Sequence, residues 1–168
     1  MSKKQDPLSS NEIPERHRKV GHLSRRLAQV YLGLMQQVLD RYELDPAFYS
    51  VLVELADHPG LDQRSLGSAL GIDRTSIGQI CDALEERGLI SRTVSHADRR
   101  ARELQLTKEG DRLRTTIRPK ILAAQDKLLA PLSARERATF VDMLYRVVAA
   151  NLDAEASGGW RNQRRSTK

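Results

Sequence analysis

The chain has 168 residues, of which 39% are hydrophobic and 30% are charged, and its formal net charge at pH 7 is +6. This length suits one domain, or a compact core with an extension that dimerises. The excess of positive charge favours a polyanionic partner such as nucleic acid. Cys81 is the single cysteine, which excludes an internal disulfide.

The sequence lacks the patterns that are typical of secreted proteins, membrane proteins, enzymes and metal-binding proteins. The N-terminal segment is polar and lacks the apolar stretch of a secretory signal. No run approaches the roughly 20 apolar residues that a membrane-spanning helix needs. No nucleophile–base–acid set and no glycine-rich phosphate loop is present, and the histidines lack metal-site spacing. We therefore expect a cytoplasmic protein that is not an enzyme and has no metal, cofactor or membrane partner.

The first predicted element is a long helix. Residues 1–13 are polar and turn-rich, so we predict that they are disordered. Pro14 suits the first turn of a helix, and the helical pattern runs from Glu15 to Tyr42. Its apolar residues recur at steps of three and four, at Val20, Leu23, Leu27, Val30, Leu34 and Val38. Such a helix outreaches a single small core, so its excess apolar length predicts a partner subunit.

The middle of the chain predicts three further helices and two strands. Asp45-Pro46 reads as an N-cap followed by proline, and the helix after it runs to about Asp57. A short helix follows over 64–70, and Gly71 supplies the turn. Asp73 can cap the next helix, whose apolar side comprises Ile77, Ile80, Cys81 and Leu84. Residues 89–95 and 102–106 alternate as half-buried strands do, around a charged tip at 96–101.

Two helices complete the predicted organisation. One begins at Thr107, and a capping box from Ser133 to Glu136 starts the other. We expect the last helix to bury Phe140, Leu144, Val147, Val148 and Leu152. Residues 157–168 form a basic tail that we predict to be disordered. The fold class is mainly α with a small antiparallel β-wing: a winged helix-turn-helix at 45–106, and a helical dimerisation region at 14–44 and 107–156.

The most informative unit is the order short helix, turn, longer helix and two strands. A helix held in this way can enter the major groove of DNA and present its N-terminal part to the bases. If the apolar side of the helix faces inward, the side chains that face outward are Arg74, Thr75, Ser76 and Gln79. Arginine and glutamine can pair with guanine and adenine, and the hydroxyls can contact phosphates. Considered alone, these residues would be an ordinary solvated face, but the adjoining pattern favours DNA contact.

The hairpin tip is the second candidate for DNA contact. Arg99, Arg100 and Arg102 lie close together beside one acid, Asp98. Arginines on a hairpin arm can enter a narrow minor groove, where the negative potential is strongest. The alternative is an ordinary charged turn, which three arginines in four positions disfavour.

These motifs resemble the multiple antibiotic resistance regulator (MarR) family over nearly the whole chain. The Asp-x-Arg wing followed by Leu-Thr-x-x-Gly is the specific part. The matching segments are Leu66 to Leu70, Gly71 to Ser76, Leu84 to Ile90, Asp98 to Arg102 and Leu106 to Gly110.

The resemblance implies a triangular homodimer in which the first and last two helices interlock. It also implies that the recognition helices enter successive major grooves of a pseudo-palindromic site. In the family the arginine that matches Arg100 reaches the minor groove, oriented by the acid that matches Asp98. Most members repress genes near their own and release double-stranded DNA when a small, often aromatic and anionic ligand binds.

The start of the first helix suggests where such a ligand binds. Cationic side chains crowd there, and an arginine fork beside an aromatic wall would suit a carboxylate on a planar ring. We predict an anion pocket formed by Arg16, Arg18, His22, Phe48 and Tyr49. Hydroxybenzoate-like or nicotinate-like acids are the preferred effectors, with genes of aromatic-acid catabolism, stress or efflux as targets. A solvated, partly DNA-attracting face remains an equal alternative.

Other functions remain open at this stage. Thiol sensing is disfavoured, because Cys81 falls on the inward side of its helix and reads as a small apolar filler. The same fold could serve a regulator without a ligand, or an activator. A sequence-nonspecific nucleic-acid-binding protein is the remaining alternative.

Overall fold

The computed structural model describes residues 18–94 and 102–156, with side chains up to Leu152. The predicted disordered ends at 1–13 and 157–168 and the wing tip at 96–101 lie outside these ranges. The helices are α1 (Val20–Leu39), a short 3-10 helix (Asp40–Tyr42), α2 (Pro46–Asp57), α3 (Gln63–Leu70), α4 (Arg74–Glu86), α5 (Lys108–Leu128) and α6 (Ala134–Ala156). The strands are β1 (Ile90–Val94) and β2 (Arg102–Leu106), so the predicted fold class is confirmed.

The chain divides into two units, one up to Gln125 and one from Asp126 onward. A single hydrophobic core fills the first unit. Its fully buried members come from α1, α2, α3, α4, the two strands and α5, and include Leu39, Leu52, Leu66, Leu84 and Ile117. The side chains predicted to face inward from α4, which are Ile77, Ile80, Cys81 and Leu84, are all buried.

α1 begins later than the sequence pattern predicted. The pattern placed the helix start at Glu15, but Arg18 and Lys19 are not helical and the helix begins at Val20. Lys19 occupies the N-cap position without a side-chain hydrogen bond. The first buried residue of α1 is Met35, so the first turns of the helix have no buried apolar side chain that would favour an earlier start.

The apolar rows of α1 and α6 are exposed on the single chain. Val20, Leu23 and Val30 on α1 belong to the predicted row and are exposed. On α6 the exposed residues of the predicted row are Leu144, Val147, Val148 and Leu152, while Phe140 is half-buried. One chain therefore does not bury the face that the sequence predicted to be buried on its last helix.

Candidate nucleic-acid interface and interhelix cavity

The turn between α3 and α4 holds the two helices close together. Gly71 ends α3 in the left-handed conformation with φ of 65°, which glycine adopts without strain. At Gly67 an added Cβ would lie 3.0 Å from the backbone oxygen of Ile72 and 3.1 Å from the Ile77 side chain. The absence of a side chain at Gly67 thus lets the first residues of α4 pack directly on α3.

A side-chain cap defines the start of α4. Asp73 Oδ1 accepts hydrogen bonds from the backbone N–H groups of Thr75 and Ser76, each at 3.0 Å. The Ser76 hydroxyl donates to Asp73 Oδ2 at 2.6 Å. These bonds to the charged form, of which the Ser76 hydroxyl bond is the largest contributor, lower the pKa of Asp73 below its ordinary value. The carboxylate therefore fixes the first turn of the helix in one conformation.

Three of the four predicted reading residues on α4 are exposed. The side chains of Arg74, Thr75 and Gln79 lie on the solvent side, opposite the buried face of the helix. Ser76 is half-buried and its hydroxyl is already engaged with Asp73. A DNA phosphate has no proton to donate, so the Ser76 hydroxyl could contact a phosphate only by turning away from Asp73. The structure therefore gives Ser76 a capping role in place of the phosphate contact that the sequence suggested.

The two strands pair in antiparallel register from Ile90 opposite Leu106 to Val94 opposite Arg102. The loop before α3 adds to this sheet, because Leu104 N–H donates to Leu61 O at 2.9 Å and Gly60 N–H donates to Leu104 O at 3.1 Å. Arg102 lies exposed at the open end of the hairpin. The other predicted wing residues, Asp98, Arg99 and Arg100, lie outside the described residues.

The Leu-Thr-x-x-Gly motif anchors the wing to α5. Thr107 Oγ1 donates to Gly88 O at 2.8 Å and accepts from Gly110 N–H at 3.0 Å, and Thr107 N–H donates to Leu89 O at 3.1 Å. At Gly110 an added Cβ would lie 2.0 Å from Leu89 O. The threonine thus caps α5 while the glycine admits the backbone between α4 and β1.

A cavity of about 1270 Å³ opens between α1, α2 and α5, and we call it the interhelix cavity. Its aromatic and charged lining residues are Tyr31, Asp45, Tyr49, Glu54, Asp57, Arg114 and Arg118. Ligand sites usually measure roughly 300–1,000 Å³, so this volume does not restrict a ligand to a single ring. Apolar walls come from Met35, Val53 and Ile121.

Tyr49 lies within the field of two arginines on α5. Burial raises the pKa of Tyr49 above its ordinary value, while the charges of Arg114 and Arg118 oppose the rise. Arg114 is paired with Asp111, with its Nη2 2.6 Å from Oδ1. Within the part of the chain that the structure describes, the Arg118 guanidinium has no hydrogen bond or ion pair. The cavity therefore combines a buried phenol with a cation that is available to an anion.

The residues predicted for the anion pocket are only partly brought together. Tyr49 lines the interhelix cavity, whereas Phe48 packs against the hydrophobic core and Arg18 and His22 are not among the lining residues. Arg16 lies outside the described residues. The sequence reasoning missed Arg114 and Arg118, although their spacing of four residues places them on one side of a helix.

The remaining chemistry of the described residues is limited. Burial raises the pKa of Cys81 to about 11, so its thiol is protonated at neutral pH. Among the described residues there is no group of three or more metal-binding side chains. Within the same residues, every helix is too short or too polar to cross a bilayer.

Comparison with known proteins connects this arrangement to a family. A sequence model described as the MarR family matches residues 42–101. A relative from Thauera aromatica, whose name assigns it to transcriptional regulation of the hcr operon, is 30% identical over 136 residues, or 81% of this chain and 82% of that protein.

Three solved structures are also similar. The PcaV transcriptional regulator from Streptomyces coelicolor is 37% identical, with a TM-score of 0.64, over 78% of this chain and 96% of that chain. CouR from Rhodococcus jostii RHA1, bound to p-coumaroyl-CoA, is 30% identical with a TM-score of 0.70, over 77% of this chain and 92% of that chain. A structure of the repressor CouR on a 23-mer DNA duplex gives 29% identity and a TM-score of 0.75, over 83% of this chain and 99% of that chain.

The solved structures share this fold, including its helix-turn-helix and its two-stranded sheet. They are transcriptional regulators rather than enzymes. The chain belongs to the MarR family of winged helix-turn-helix transcriptional regulators.

Proposed function

We propose that the protein is a homodimeric repressor that binds a pseudo-palindromic operator in the cytoplasm. A small aromatic carboxylate, hydroxybenzoate-like or nicotinate-like, releases it from the DNA. Genes of aromatic-acid catabolism, or of stress and efflux, are the proposed targets.

The observation that carries the DNA-binding proposal is the exposed start of α4. Arg74 and Thr75 project from the first turn of α4, which Asp73 caps, and Gln79 projects from the second turn. Arginine and glutamine supply the bidentate donors that read guanine and adenine in the major groove. Arg102 and the wing arginines Arg99 and Arg100, the last oriented by Asp98, are proposed to reach the adjacent minor groove. The similar CouR structure contains a 23-mer DNA duplex, which agrees with this use of the fold.

Support for the homodimer comes from the exposed apolar rows. Leu144, Val147 and Leu152 on α6, together with Val20 and Val30 on α1, leave apolar side chains in water on a single chain. Rows of exposed apolar side chains on one helix are typical of protein interfaces. A second copy of the chain is the proposed partner, because paired α4 helices about 34–36 Å apart would match successive major grooves.

Support for the effector comes from the interhelix cavity. The Arg118 guanidinium can donate hydrogen bonds to a carboxylate, and Tyr49 and Tyr31 supply aromatic walls and hydroxyls. PcaV has been crystallised with its natural ligand, and CouR with p-coumaroyl-CoA. Arg16, Arg18, His22 and Phe48 remain proposed effector contacts from the sequence, and the cavity itself contributes Tyr49 to that set.

The proposed release is a shift between two dimer conformations. A ligand can shift the balance only by its difference in affinity between them. DNA and effector must then weaken each other by the same factor, whichever binds first. An effector between α1, α2 and α5 would favour the dimer in which the spacing of the two α4 helices no longer fits the duplex.

A gel-shift titration tests the proposal. We expect the purified protein to prefer an inverted repeat from the promoter of its own gene over random duplex, and a panel of benzoates, hydroxybenzoates and nicotinate to contain an acid that weakens this binding. Arg118→Gln should raise the effector concentration for half-release about tenfold. Arg112→Gln is the matched control, because Arg112 is exposed and pairs with Glu109 on the same helix.

Other outcomes would support different functions. Equal affinity for the repeat and for random duplex would indicate a sequence-nonspecific binding protein. Specific binding that no ring acid weakens would contradict the effector proposal and leave a regulator without a ligand. Enhanced transcription from the bound promoter would replace repression with activation.

A further inference from the structure

Arg92 ties the wing to the recognition helix α4. It lies in the middle of β1, and its guanidinium reaches two carboxylates on α4. Nη2 lies 2.5 Å from Asp82 Oδ1, and Nη1 donates to Glu85 Oε2. The backbone N–H of Arg92 donates to Glu85 Oε1 at 3.2 Å. The Glu85 carboxylate therefore accepts hydrogen bonds from both the backbone and the side chain of Arg92.

The link joins a largely buried guanidinium to two more exposed carboxylates. The Arg92 side chain is only 21% exposed, against 71% for Asp82 and 39% for Glu85. Burial opposes the charge of Arg92, but the hydrogen bonds to Asp82 and Glu85 outweigh it and raise the pKa of Arg92 above its ordinary value. A planar guanidinium can bridge two carboxylates in a fixed geometry, which a lysine ammonium cannot reproduce.

The position of Arg92 along β1 determines which part of the wing it holds against α4. On the α5 side, Thr107 fixes the end of the hairpin where the strands join the core. Beyond Arg92, Thr93 and Val94 are exposed. Among the described residues, Arg92 is thus the last side chain of β1 that holds the wing against α4 before the tip.

We propose that Arg92 is a positioning residue for DNA binding, which fixes the angle of the wing to α4 through Asp82 and Glu85. The inference rests on the proposed use of α4 and the wing on one duplex. A wing that is already held in place does not have to be ordered when DNA binds, so its contacts contribute more of their energy to affinity. Nη1 and Nη2 of Arg92 each bind a carboxylate of α4, which favours a positioning role over a direct phosphate contact.

Footprinting of the full-length dimer on its operator separates the two elements. In Arg92→Gln we expect protection of the outer minor grooves by the wing to fall, while protection of the major grooves by α4 remains. The affinity should fall about tenfold. Arg92→Lys should resemble Arg92→Gln in footprint, because it restores the charge but not the bridge. Arg112→Gln, which removes a positive charge from an exposed ion pair, should leave the footprint unchanged.

A mutant cycle distinguishes positioning from direct phosphate contact. The Asp82→Ala/Glu85→Ala variant removes the partners of Arg92 and should lose the same wing protection. In that background Arg92→Gln should change little, because its partners are already gone. An equal effect of Arg92→Gln in both backgrounds would overturn the proposal in favour of a phosphate contact, and an unchanged wing footprint in Arg92→Gln would overturn it outright.

Controls separate this inference from loss of fold and from failure of the proposed function. Thermal unfolding and size-exclusion chromatography report whether Arg92→Gln remains folded and dimeric. Should it unfold, the Asp82→Ala/Glu85→Ala variant carries the test, since both carboxylates are at least partly exposed. An operator that the unmodified protein leaves entirely unprotected would instead reject the proposed function.

Discussion

α4 and α6 are both amphipathic helices with side-chain caps, but only α4 has its apolar face buried in the single chain. Leu84 of α4 is fully buried, and the other apolar residues of its inner face are buried with it. On α6 none of the described side chains is buried, and Leu144 and Val147 are 43% and 59% exposed. The difference is that the apolar side chains of α4 are buried within the described chain, whereas those described on α6 are not.

This contrast matches different requirements for a surface that reads DNA and a helix that forms an interface. The α3–α4 unit and the wing are held by contacts from residues nearby in space, including the close approaches at Gly67 and Gly110. A surface that reads DNA benefits from such rigidity, because its side chains must meet the duplex together. A helix that forms an interface instead keeps its apolar face available, and its stability depends on protein concentration.

The largest expected effect is that of Gly110→Ala, which places a side chain where Gly110 packs against the backbone of Leu89. An added Cβ would lie 2.0 Å from a backbone oxygen and 2.9 Å from the Leu106 side chain. Backbone cannot move aside as a flexible side chain can, so we expect a loss of about 4 kcal/mol in the free energy of unfolding. Urea denaturation measures it. Gly21→Ala is the control: the new Cβ meets nothing within 4 Å and alanine favours the helix, so this variant should not be destabilised.

The paired variants Leu84→Ala and Leu144→Ala test the comparison directly. Leu84→Ala opens a cavity in the core and should cost about 3 kcal/mol at any protein concentration. Leu144→Ala should instead weaken association, so that its loss of thermal stability is greatest in dilute protein and small in concentrated protein. Unfolding at several protein concentrations, with sedimentation for oligomeric state, decides between them. A concentration-independent loss in Leu144→Ala would mean that α6 packs within one chain.

The elements that the sequence predicted correctly are those with local signals. Asp45 before Pro46, Asp73 before α4, and Ser133 with Glu136 each identify a helix start from a few neighbouring residues, and each makes the expected hydrogen bond. The inward face of α4 also follows from spacing alone. The N-terminal start of α1 was wrong, because proline and charge indicate a first turn but do not supply the packing that stabilises it.

The parts that sequence reasoning missed depend on contacts between distant residues. Arg92 meets α4 only because the hairpin folds back beside it. Arg87 donates to the backbone oxygens of Tyr42 and Glu43, some 45 residues away along the chain. Arg114 and Arg118 face the interhelix cavity because α5 packs one side against the core, and periodicity does not reveal which side. The charged residues near α1 attracted attention because of their density, which is a property of sequence rather than of a cavity.

The smallest expected effect concerns the caps, which α4 and α6 share. The Ser76 hydroxyl on Asp73 and the Ser133 hydroxyl on Glu136 are the main causes that lower the pKa of each carboxyl below its ordinary value, 3.8 and 4.5 respectively. A lowered folded-state pKa means that each cap stabilises the protein above its unfolded-state pKa, and that this stabilisation is lost as the pH falls through the folded-state value.

Asp73→Asn keeps an acceptor at the start of α4 but has no proton to gain, so it should lose less stability than the unmodified protein between about pH 5 and pH 3. Glu136→Gln should behave in the same way for α6. Urea midpoints at several pH values measure the slope, and amide exchange in the first turn of each helix assigns it. An unchanged slope in Asp73→Asn would mean that the α4 cap contributes nothing to the acid response. Equal responses in both variants would place the difference between α4 and α6 in their apolar faces alone, since both helices would then begin in the same way.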